Sequence, residues 1–247
     1  PPRPPQLRAP RHDVTSTLMV GRAARAPSFG ELYATNNPVV LGNPNLQPET
    51  LTSYEVAFDY RPSPGLSGRL NLFRYSIADL INHVPDAGGQ TSTAQNSQDR
   101  EGDGLELELE WQASASLRLQ ASYAWQRSED SASGDAVADT PGRLASVRAT
   151  WQPAPRWTLA WQTQWVADRK RAVGDSRAPI ADYALSNLSL RHRMNDKALE
   201  WALTASNLFD RDARAPTLYN PGLGTAAIPG DYPLPGRSLW LELRYQL

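Results

Sequence analysis

The chain has 247 residues, enough for one large all-β domain or for two smaller ones. Its net charge of −1 excludes a bulk field that would attract nucleic acid, and its basic residues never cluster with stacking aromatics. No apolar run approaches the roughly 20 residues of a membrane helix, and the absence of cysteine excludes disulfides and thiolate metal sites.

The aromatic residues are unevenly chosen, with eight Trp and nine Tyr but only four Phe. Trp and Tyr form girdles at the two membrane interfaces of outer-membrane barrels. A soluble sandwich that binds carbohydrate is also rich in Trp. Because only helices and closed barrels can span a bilayer, the composition leaves a membrane barrel and a soluble sandwich as the two classes to decide between.

Residues 1–12, PPRPPQLRAPRH, are predicted to be a disordered Pro-rich head that precedes the folded part, 13–247. The head carries charge and proline but lacks the apolar segment of a signal peptide. If the protein lies outside the inner membrane, we expect the sequence that directs it there to be absent from this chain.

Alternation of apolar and polar residues predicts about ten strands. The predicted strands cover 14–22, 50–60, 66–77, 105–111, 117–125, 142–151, 157–165, 181–193, 199–206 and 237–247. Short turns follow the even-numbered strands and long loops follow the odd-numbered ones, including a polar loop predicted at 78–102. Long loops at one end only are typical of an outer-membrane barrel, with short periplasmic turns and long external loops.

The hairpin from Gly104 to Gln126 shows the alternation most clearly. Leucines and Trp111 fill one face of its first strand, and Glu106, Glu108 and Glu110 fill the other. We predict a three-residue turn at 113–115, which places Trp111 opposite Leu117 and pairs Glu110 with Arg118 across the strands. The next hairpin is predicted to place Trp151 opposite Trp157. The leucines would face lipid in a barrel and a dry core in a sandwich.

Four further stretches resemble the C-terminal part of a TonB-dependent outer-membrane receptor. They are RAPSFGELY (25–33), GNPNLQPET with SYE (42–55), SNLFDRD (206–212) and PGRSLWLELRYQL (235–247). The resemblance implies an all-β, antiparallel, up-and-down transmembrane β-barrel in the bacterial outer membrane. Members of the family form a plugged 22-stranded barrel. This chain is therefore interpreted as a ten-stranded C-terminal part without the plug or the TonB-contact segment, and its final Leu247 stands where the family usually has Phe.

The resemblance implies uptake of a scarce nutrient of the siderophore-iron, haem or cobalamin class, driven by the TonB complex. The implied partners are outer-membrane lipid and lipopolysaccharide, a metal chelate or cobalamin-like ligand, and the TonB complex only through the missing N-terminal part. We expect no nucleic-acid partner, cofactor, resident metal or catalytic residue, and no transport by the fragment alone.

Two alternatives stay open beside this interpretation. One is a soluble Trp-rich β-sandwich that binds carbohydrate, and the other is a small outer-membrane barrel protease that would use His83. No Gly-rich phosphate loop, His-x-x-x-His pair or G-x-S-x-G elbow supports an enzyme.

Ligand contacts in a barrel receptor come from the external loops and the upper lumen wall. The candidates are Tyr33, Asn36, Asn37, His83, Arg169, Lys170, Arg171, Tyr219 and Tyr232. The run Arg169–Arg171 is interpreted as a solvated charge run, in preference to a site for an anionic siderophore or a lipopolysaccharide phosphate. His83 is interpreted as polar surface in preference to a haem ligand.

The remaining family signatures are predicted to shape the loops. Residues 25–27 and 43–49 supply Pro and Asn turn chemistry. Asn207, Phe209 and Asp210 are predicted to cap a strand and begin the last external loop.

Overall fold

The computed structural model describes residues 13–88, 90–194, 199–220 and 224–245. The predicted head (1–12), the turn predicted at 195–197 and Leu247 lie outside the described residues. The elements in chain order are β1 (Val14–Arg25), α1 (Phe29–Tyr33), β2 (Val40–Leu41), β3 (Glu49–Ser63), β4 (Leu66–Pro85), β5 (Ser92–Ser114), β6 (Leu117–Asp130), β7 (Pro141–Trp151), β8 (Trp157–Arg169), β9 (Tyr183–Arg193), β10 (Leu199–Ser206), β11 (Arg214–Ala215), β12 (Tyr219–Asn220), β13 (Thr225–Ala226), β14 (Tyr232–Pro233) and β15 (Ser238–Tyr245).

Ten of these strands form one antiparallel sheet in which each strand pairs with its neighbours in sequence, in the order β1-β3-β4-β5-β6-β7-β8-β9-β10-β15. This confirms the predicted all-β, up-and-down architecture and the count of about ten strands. Strand β2 adds to β5 in parallel, and two small ladders, β11–β14 and β12–β13, form within the last long loop. Strands β1 and β15 are the edges, and no ladder joins them within the described residues.

One face of the sheet carries an apolar central band. Leu18 lies opposite Val56 and Val56 opposite Leu72, and the row continues through Leu105 to Trp125. These side chains remain open, because Leu107 and Leu109 on the same face are each 46% exposed. The soluble-sandwich alternative is wrong, since it requires these leucines to lie in a dry core under a second sheet.

The opposite face is polar and concave. Inward-facing residues of six strands, β3 to β8, together line a cavity of about 450 Å³, and the cavity walls include Asp59, Arg69, Glu108, Gln120 and Gln162. A sheet with apolar residues outside and a wet, polar inner wall is the pattern of a transmembrane barrel. In β9, whose faces the sequence left ambiguous, Leu188 and Leu190 are on the outward face, opposite Trp161 and Leu159.

Little apolar side-chain volume is buried between elements. The one hydrophobic cluster of fully buried residues among the described ones contains Leu46, Ile81 and Ala94, with Leu32 packed against it. It lies at the external end, where the loop after β1 meets the β4–β5 hairpin. Among the described residues, no helix is both long and apolar enough to cross a bilayer.

The predicted hairpin registers are wrong by two residues. Trp111 lies opposite Leu119 rather than Leu117, because the turn contains only residues 115–116 and the register shifts between Gln112 and Ser114. Likewise Trp151 lies opposite Leu159 and not Trp157. A shift of two residues preserves the face of every side chain, since the strand period is two, so the predicted faces are correct.

The polar loop predicted at 78–102 is also wrong. Strand β4 continues to Pro85 and β5 begins at Ser92, so the hairpin extends well beyond the apolar band, with register irregularities between Ile77 and Ile81. Most residues of the extension are polar, and the register irregularities interrupt its alternation, so the pattern that reveals a half-buried strand is lost.

Candidate ligand-binding surface

The external ends of the strands carry the surface that a ligand would meet first. It consists of the loop between β1 and β3, the β4–β5 extension, the β6–β7 loop, the β8–β9 loop and the loop between β10 and β15. The following contacts decide which of the predicted residues are free to bind and which hold these loops together.

Arg25 fixes the first external loop at the end of β1. Its Nε and Nη2 donate to the two carboxylate oxygens of Glu49, at 2.6 and 2.7 Å, and its guanidinium also contacts both oxygens of Glu31 at 3.0 and 3.1 Å. Glu49 Oε1 accepts a further hydrogen bond from the Ile81 backbone N–H at 2.9 Å. One arginine thus joins β1, α1 and β3, and Glu49 connects them to the β4–β5 extension.

Helix α1 begins with a capping box. Ser28 Oγ accepts from the Glu31 N–H at 3.3 Å, and Glu31 Oε2 accepts from the Ser28 N–H at 2.7 Å. The hydrogen bonds from Arg25 and then from Ser28 lower the pKa of Glu31 to about 2, so it stays ionised. The signature RAPSFGELY therefore shapes a loop, as predicted, through ion pairs and a cap.

The loop after α1 packs on one side of the β4–β5 extension. Leu46 lies in a buried cluster with Ile81 and Ala94, which belong to the two strands of the extension. Asn96 completes the contact because its side chain accepts from the Gln47 N–H at 2.8 Å and donates to the Gln47 carbonyl oxygen at 3.0 Å. The loop is therefore held against the extension.

Three predicted ligand residues lie on this loop. Tyr33 is 53% exposed and its ring centroid lies 5.0 Å from that of Phe29, which is 80% exposed. Asn36 is exposed. The side-chain oxygen of Asn37 already accepts from the backbone N–H groups of Val39 and Val40, at 2.9 and 3.0 Å, so Asn37 forms a turn.

His83 lies in β4, opposite Ala94, and not in a loop as predicted. Its side chain is exposed. No group of three or more His, Cys, Asp or Glu residues able to hold a metal ion occurs in the part of the chain that the structure describes.

The run 169–171 is not the solvated charge run that the sequence predicts. Arg169 is only 6% exposed: its Nη1 donates to the Arg214 carbonyl oxygen at 2.7 Å and its Nη2 to that of Ala181 at 2.5 Å. Its guanidinium carbon also lies 4.9 Å from the ring centroid of Tyr183. Only Lys170 is solvated, at 58% exposure, with an ion pair of 2.6 Å to Asp168.

Arg171 belongs to a buried ion cluster that we call the loop latch, formed by Arg171, Asp175, Arg177 and Asp231. Arg171 Nη1 and Nη2 donate to the two oxygens of Asp231 at 2.9 and 2.7 Å, and Arg177 Nη1 donates to the same carboxylate at 3.0 Å. Arg177 is also paired with Asp175 at 2.6 Å. The latch joins the β8–β9 loop to the last external loop.

The electrostatics of the latch favour its charged form. The hydrogen bonds from Arg171 lower the pKa of Asp231 to about 2 against the opposing effect of burial, with a smaller contribution from the Thr217 N–H. Asp139, in the loop between β6 and β7, shows the opposite behaviour: burial raises its pKa although Arg171 and Arg177 act to lower it. The Asp139 N–H donates to the Lys170 carbonyl oxygen at 2.8 Å, which brings a third loop to the same place.

Two predicted tyrosines flank the latch. Tyr219 donates its hydroxyl hydrogen bond to the Gly174 carbonyl oxygen at 2.8 Å and so ties the same two loops together. Tyr232 lies in β14 next to Asp231, opposite Ala215, and is 45% exposed. Of these two tyrosines, Tyr232 has the more exposed side chain.

The signature SNLFDRD ends β10 and begins the last loop. Asn207 is buried with a positive φ of 46°; its side chain accepts from the Arg211 N–H at 2.9 Å and donates to the Arg211 and Pro235 carbonyl oxygens. Asp210 Oδ1 accepts from the Arg237 N–H at 2.8 Å, so both ends of the loop are joined. Phe209 is 60% exposed, with its ring 6.0 Å from that of Trp161.

The lumen wall below the loops carries paired charges. Arg118 forms an ion pair with Glu110, as predicted, although the two lie diagonally and not directly opposite. Arg69 pairs with Asp59 at 2.8 Å. Glu106 and Glu108 point from the same side of β5 into the two neighbouring inward cavities. The wall is a hydrated, charged surface of the kind predicted.

Sequence reasoning missed the other three members of the latch. Asp175, Arg177 and Asp231 stand in Gly- and Pro-rich loops, where an aspartate or arginine is usually exposed to solvent. The pairing joins residues 60 positions apart, and no local pattern indicates it.

A comparison with protein families matches residues 11–208 to the family described as TonB dependent receptor-like, beta-barrel. That range contains nine of the ten long strands and both ion pairs of the first external loop. The chain belongs to this family. The predicted resemblance is therefore confirmed, and the leucines and the glutamates lie on opposite faces of the sheet of a TonB-dependent receptor barrel.

Curated relatives of this TonB-dependent receptor barrel include two Vibrio proteins. The chain is 27% identical over 205 residues to the vitamin B12 transporter BtuB of Vibrio vulnificus, covering 83% of this chain and 32% of that protein. It is 28% identical over 144 residues to an iron-regulated outer membrane virulence protein of Vibrio cholerae, covering 53% of this chain and 22% of that protein. The chain thus spans about a third or less of the length of these relatives.

Solved structures show the same fold. The ferric enterobactin receptor PfeA of Pseudomonas aeruginosa, a mutant in complex with enterobactin, superposes with a TM-score of 0.77 at 22% identity, covering 96% of this chain and 39% of that one. The copper transporter OprC superposes with a TM-score of 0.72 at 20% identity, covering 95% and 37%. At these identities the structures show the architecture of the TonB-dependent receptor barrel and not its ligand.

Proposed function

We propose that this chain forms ten strands of the wall of a bacterial outer-membrane receptor that takes up a scarce nutrient with energy from the TonB complex. The observation that carries the proposal is the combination of an apolar outer face with a charged inner wall in a barrel of this family. The external loops support it, because ion clusters hold them in place above the lumen, where an incoming ligand is captured.

The proposed ligand is a metal chelate or a cobalamin-like molecule. Relatives by sequence carry the names of a vitamin B12 transporter and an iron-regulated protein, and the structural neighbours include siderophore and copper receptors. The cargoes that these names print are vitamin B12, a siderophore and copper. We keep siderophore-iron, haem and cobalamin as the three classes to test, and we place the TonB contact outside this chain.

The exposed candidates are the proposed ligand contacts. Tyr33 and Tyr232 offer open aromatic rings, Asn36 an open amide and Lys170 an open ammonium group. His83 is retained as an exposed residue. By contrast, Asn37, Arg169, Arg171 and Tyr219 form hydrogen bonds with other loop residues. We therefore assign these four residues a role in positioning the loops.

The test is uptake by cells that carry or lack the complete gene. Cells would be given radiolabelled cobalamin, a labelled ferric siderophore and labelled haem in separate assays. We expect deletion to abolish energised uptake of one of the three, complementation to restore it, and inactivation of TonB to reproduce the deletion. Unchanged uptake of all three ligands would contradict the proposed ligand class.

The ligand contacts are tested with matched variants in the same assay. Tyr33→Ala removes an external ring that is 53% exposed, and Tyr54→Ala removes an outward, lipid-side ring that is 56% exposed. We expect Tyr33→Ala and Lys170→Gln to raise the ligand concentration needed for half-maximal uptake, and Tyr54→Ala to leave it unchanged. Equal effects of the two tyrosine substitutions would mean that Tyr33 acts through barrel stability alone.

The protease alternative makes a different prediction. It requires peptide hydrolysis by the purified protein, abolished by His83→Ala. The family consists of receptors and transporters, so we expect no hydrolysis above that of the His83→Ala variant.

A further inference from the structure

A third carboxylate, that of Asp139, faces the loop latch from the β6–β7 loop. Its backbone N–H donates to the Lys170 carbonyl oxygen at 2.8 Å, and no other hydrogen bond joins 131–140 to the β8–β9 loop within the described residues. The preceding part of the loop is attached to its own hairpin, because the Val137 N–H donates to the Ser128 carbonyl oxygen at 2.9 Å. The contact between the β6–β7 loop and the latch is therefore small, and the surroundings of Asp139 decide its stability.

The two arginines of the latch already donate to other acceptors. Arg171 donates to both oxygens of Asp231 and, through Nε, to a backbone carbonyl oxygen in its own loop. Arg177 donates to Asp175, to Asp231 and to three backbone carbonyl oxygens. Every nitrogen atom of the two guanidinium groups thus has an acceptor. The carboxylate of Asp139 accepts no hydrogen bond from any residue that the structure describes.

Ionisation of Asp139 adds an unbalanced charge to this cluster. The two guanidinium and two carboxylate groups of the latch cancel, and Asp139 is a fifth charged group. The charged residues that act on it are Arg171, Asp175 and Arg177 from the β8–β9 loop and Asp231 from the last loop. Lys170 directs its ammonium group to Asp168, at 2.6 Å. Burial raises the pKa of Asp139 by more than the attraction of the two arginines lowers it, so the contact favours the neutral carboxyl group.

We propose that protonation of Asp139 controls the contact between the β6–β7 loop and the loop latch, so that the loop docks in acidic medium and separates as the pH rises. A group whose pKa is raised by a contact stabilises that contact fully below its ordinary value near 4 and loses the stabilisation as the pH rises through the raised value. Asp231 does not respond in this range, because its pKa of about 2 keeps the latch ionised. The β6–β7 loop is therefore a pH-sensitive flap beside a permanent latch, and this role is independent of the proposed uptake.

Hydrogen exchange of the Asp139 amide measures the contact directly, because this N–H donates to the Lys170 carbonyl oxygen. The complete gene product in detergent would be studied by NMR from about pH 4 to about pH 7.5. The protection factor, which is the ratio of the intrinsic to the observed exchange rate, removes the direct effect of pH on exchange. We expect the protection factor of the Asp139 amide to fall on the order of tenfold as the pH rises over this range. The Val137 amide, which donates within its own hairpin, should keep its protection factor.

Two substitutions in the β6–β7 loop separate the protonation of Asp139 from a general effect of charge. Asp139→Asn keeps the side chain neutral at every pH, and Asn tolerates the positive φ of 64° at this position. We expect this variant to retain the high protection factor throughout the range. Asp135→Asn removes an exposed carboxylate from the same loop and should show the pH dependence of the unaltered protein.

Three outcomes overturn the proposal. The first is an Asp139 amide in the unaltered protein that is equally protected at both ends of the pH range. The second is a fall of the same size in Asp139→Asn, and the third is a parallel fall at Val137, which would mean that the whole hairpin end opens. The first and third outcomes are read from the unaltered protein, so the test does not depend on the folding of either variant.

Discussion

Asp231 and Arg171 lie 60 residues apart in the chain and form a two-point ion pair, with N–O distances of 2.9 and 2.7 Å. Both side chains are largely withdrawn from water, with 9% and 12% exposure. The pair connects the loop after β8 with the loop before β15. Because the β10–β15 loop is the longest irregular connection, the latch determines whether it lies in one position or many.

The first prediction concerns the variant Asp231→Asn. It removes the charge that Arg171 and Arg177 share, and the loss of a charge-assisted hydrogen bond from a largely buried arginine destabilises the docked loop by about 2 kcal/mol. The chain has no cysteine, so spin labels can be placed at Val173 and Leu218, two exposed positions on the two loops. We expect the distance distribution between the labels to broaden in the variant.

A control substitution separates the latch from surface charge. Asp212→Asn removes an exposed carboxylate that is paired with Arg214 at 3.0 Å in the same loop. It should leave the distance distribution unchanged. If Asp231→Asn also left it unchanged, the latch would not hold the loops.

The second prediction is a pH dependence of the same distance. Hydrogen bonds from Arg171 lower the pKa of Asp231 to about 2. A lowered pKa in the folded state means that the stabilisation is present above the ordinary aspartate value near 4 and is lost as the pH falls through about 2. The distribution should therefore stay narrow down to about pH 4 and broaden between pH 4 and 2. The Asp231→Asn variant should be broad throughout, with no transition in that window.

The contrast between the latch and the hairpins shows what the sequence could reveal. The faces of β5 and β6 were predictable because Leu105 to Trp111 alternate with glutamates, and water on one side with lipid on the other imposes that alternation. The register of the hairpin was not predictable from the sequence. It depends on a two-residue turn and a local irregularity that Ala115 and Ser116 do not specify. The extension of β4 and β5 to Pro85 and Ser92 was missed because most of its residues are polar and its register irregularities interrupt the alternation.

The candidate site divides in the same way. The turn-forming role of residues such as Asn37 and Asn207 was predictable, because a short amide side chain forms hydrogen bonds with nearby backbone groups. The partners of Arg169 and Arg171 were not predictable. The carbonyl of Arg214 and the carboxylate of Asp231 are distant in sequence, and only the folded sheet brings them close to the two arginines. A run of basic residues therefore predicted a solvated surface where two of the three side chains are buried.

The third prediction concerns Arg25. Its replacement by Gln removes the group that contacts Glu31 and Glu49 together, and Lys cannot replace it because an ammonium group lacks the two-point geometry. We expect limited proteolysis within 26–48 to accelerate on the order of tenfold in both Arg25→Gln and Arg25→Lys, equivalent to about 1.4 kcal/mol of local stability. Arg22→Gln, on the same strand and without an ion pair in the described part of the chain, should cleave at the original rate.

The last prediction tests the orientation of the sheet. Leu107 lies in the middle of the outward row and is 46% exposed, whereas Glu108 points from the next position into the inward cavities. Arginine near the bilayer midplane costs about 2–4 kcal/mol, and arginine on a hydrated lumen wall costs little. In the complete gene product, Leu107→Arg should lower the urea midpoint for unfolding from lipid vesicles, and Glu108→Arg should change it far less. The two substitutions are adjacent and introduce the same side chain, and Glu108→Arg also places a second guanidinium opposite Arg69. A larger loss in Leu107→Arg despite that repulsion therefore indicates lipid contact; a similar loss in both would contradict the assignment of the leucine face to the membrane.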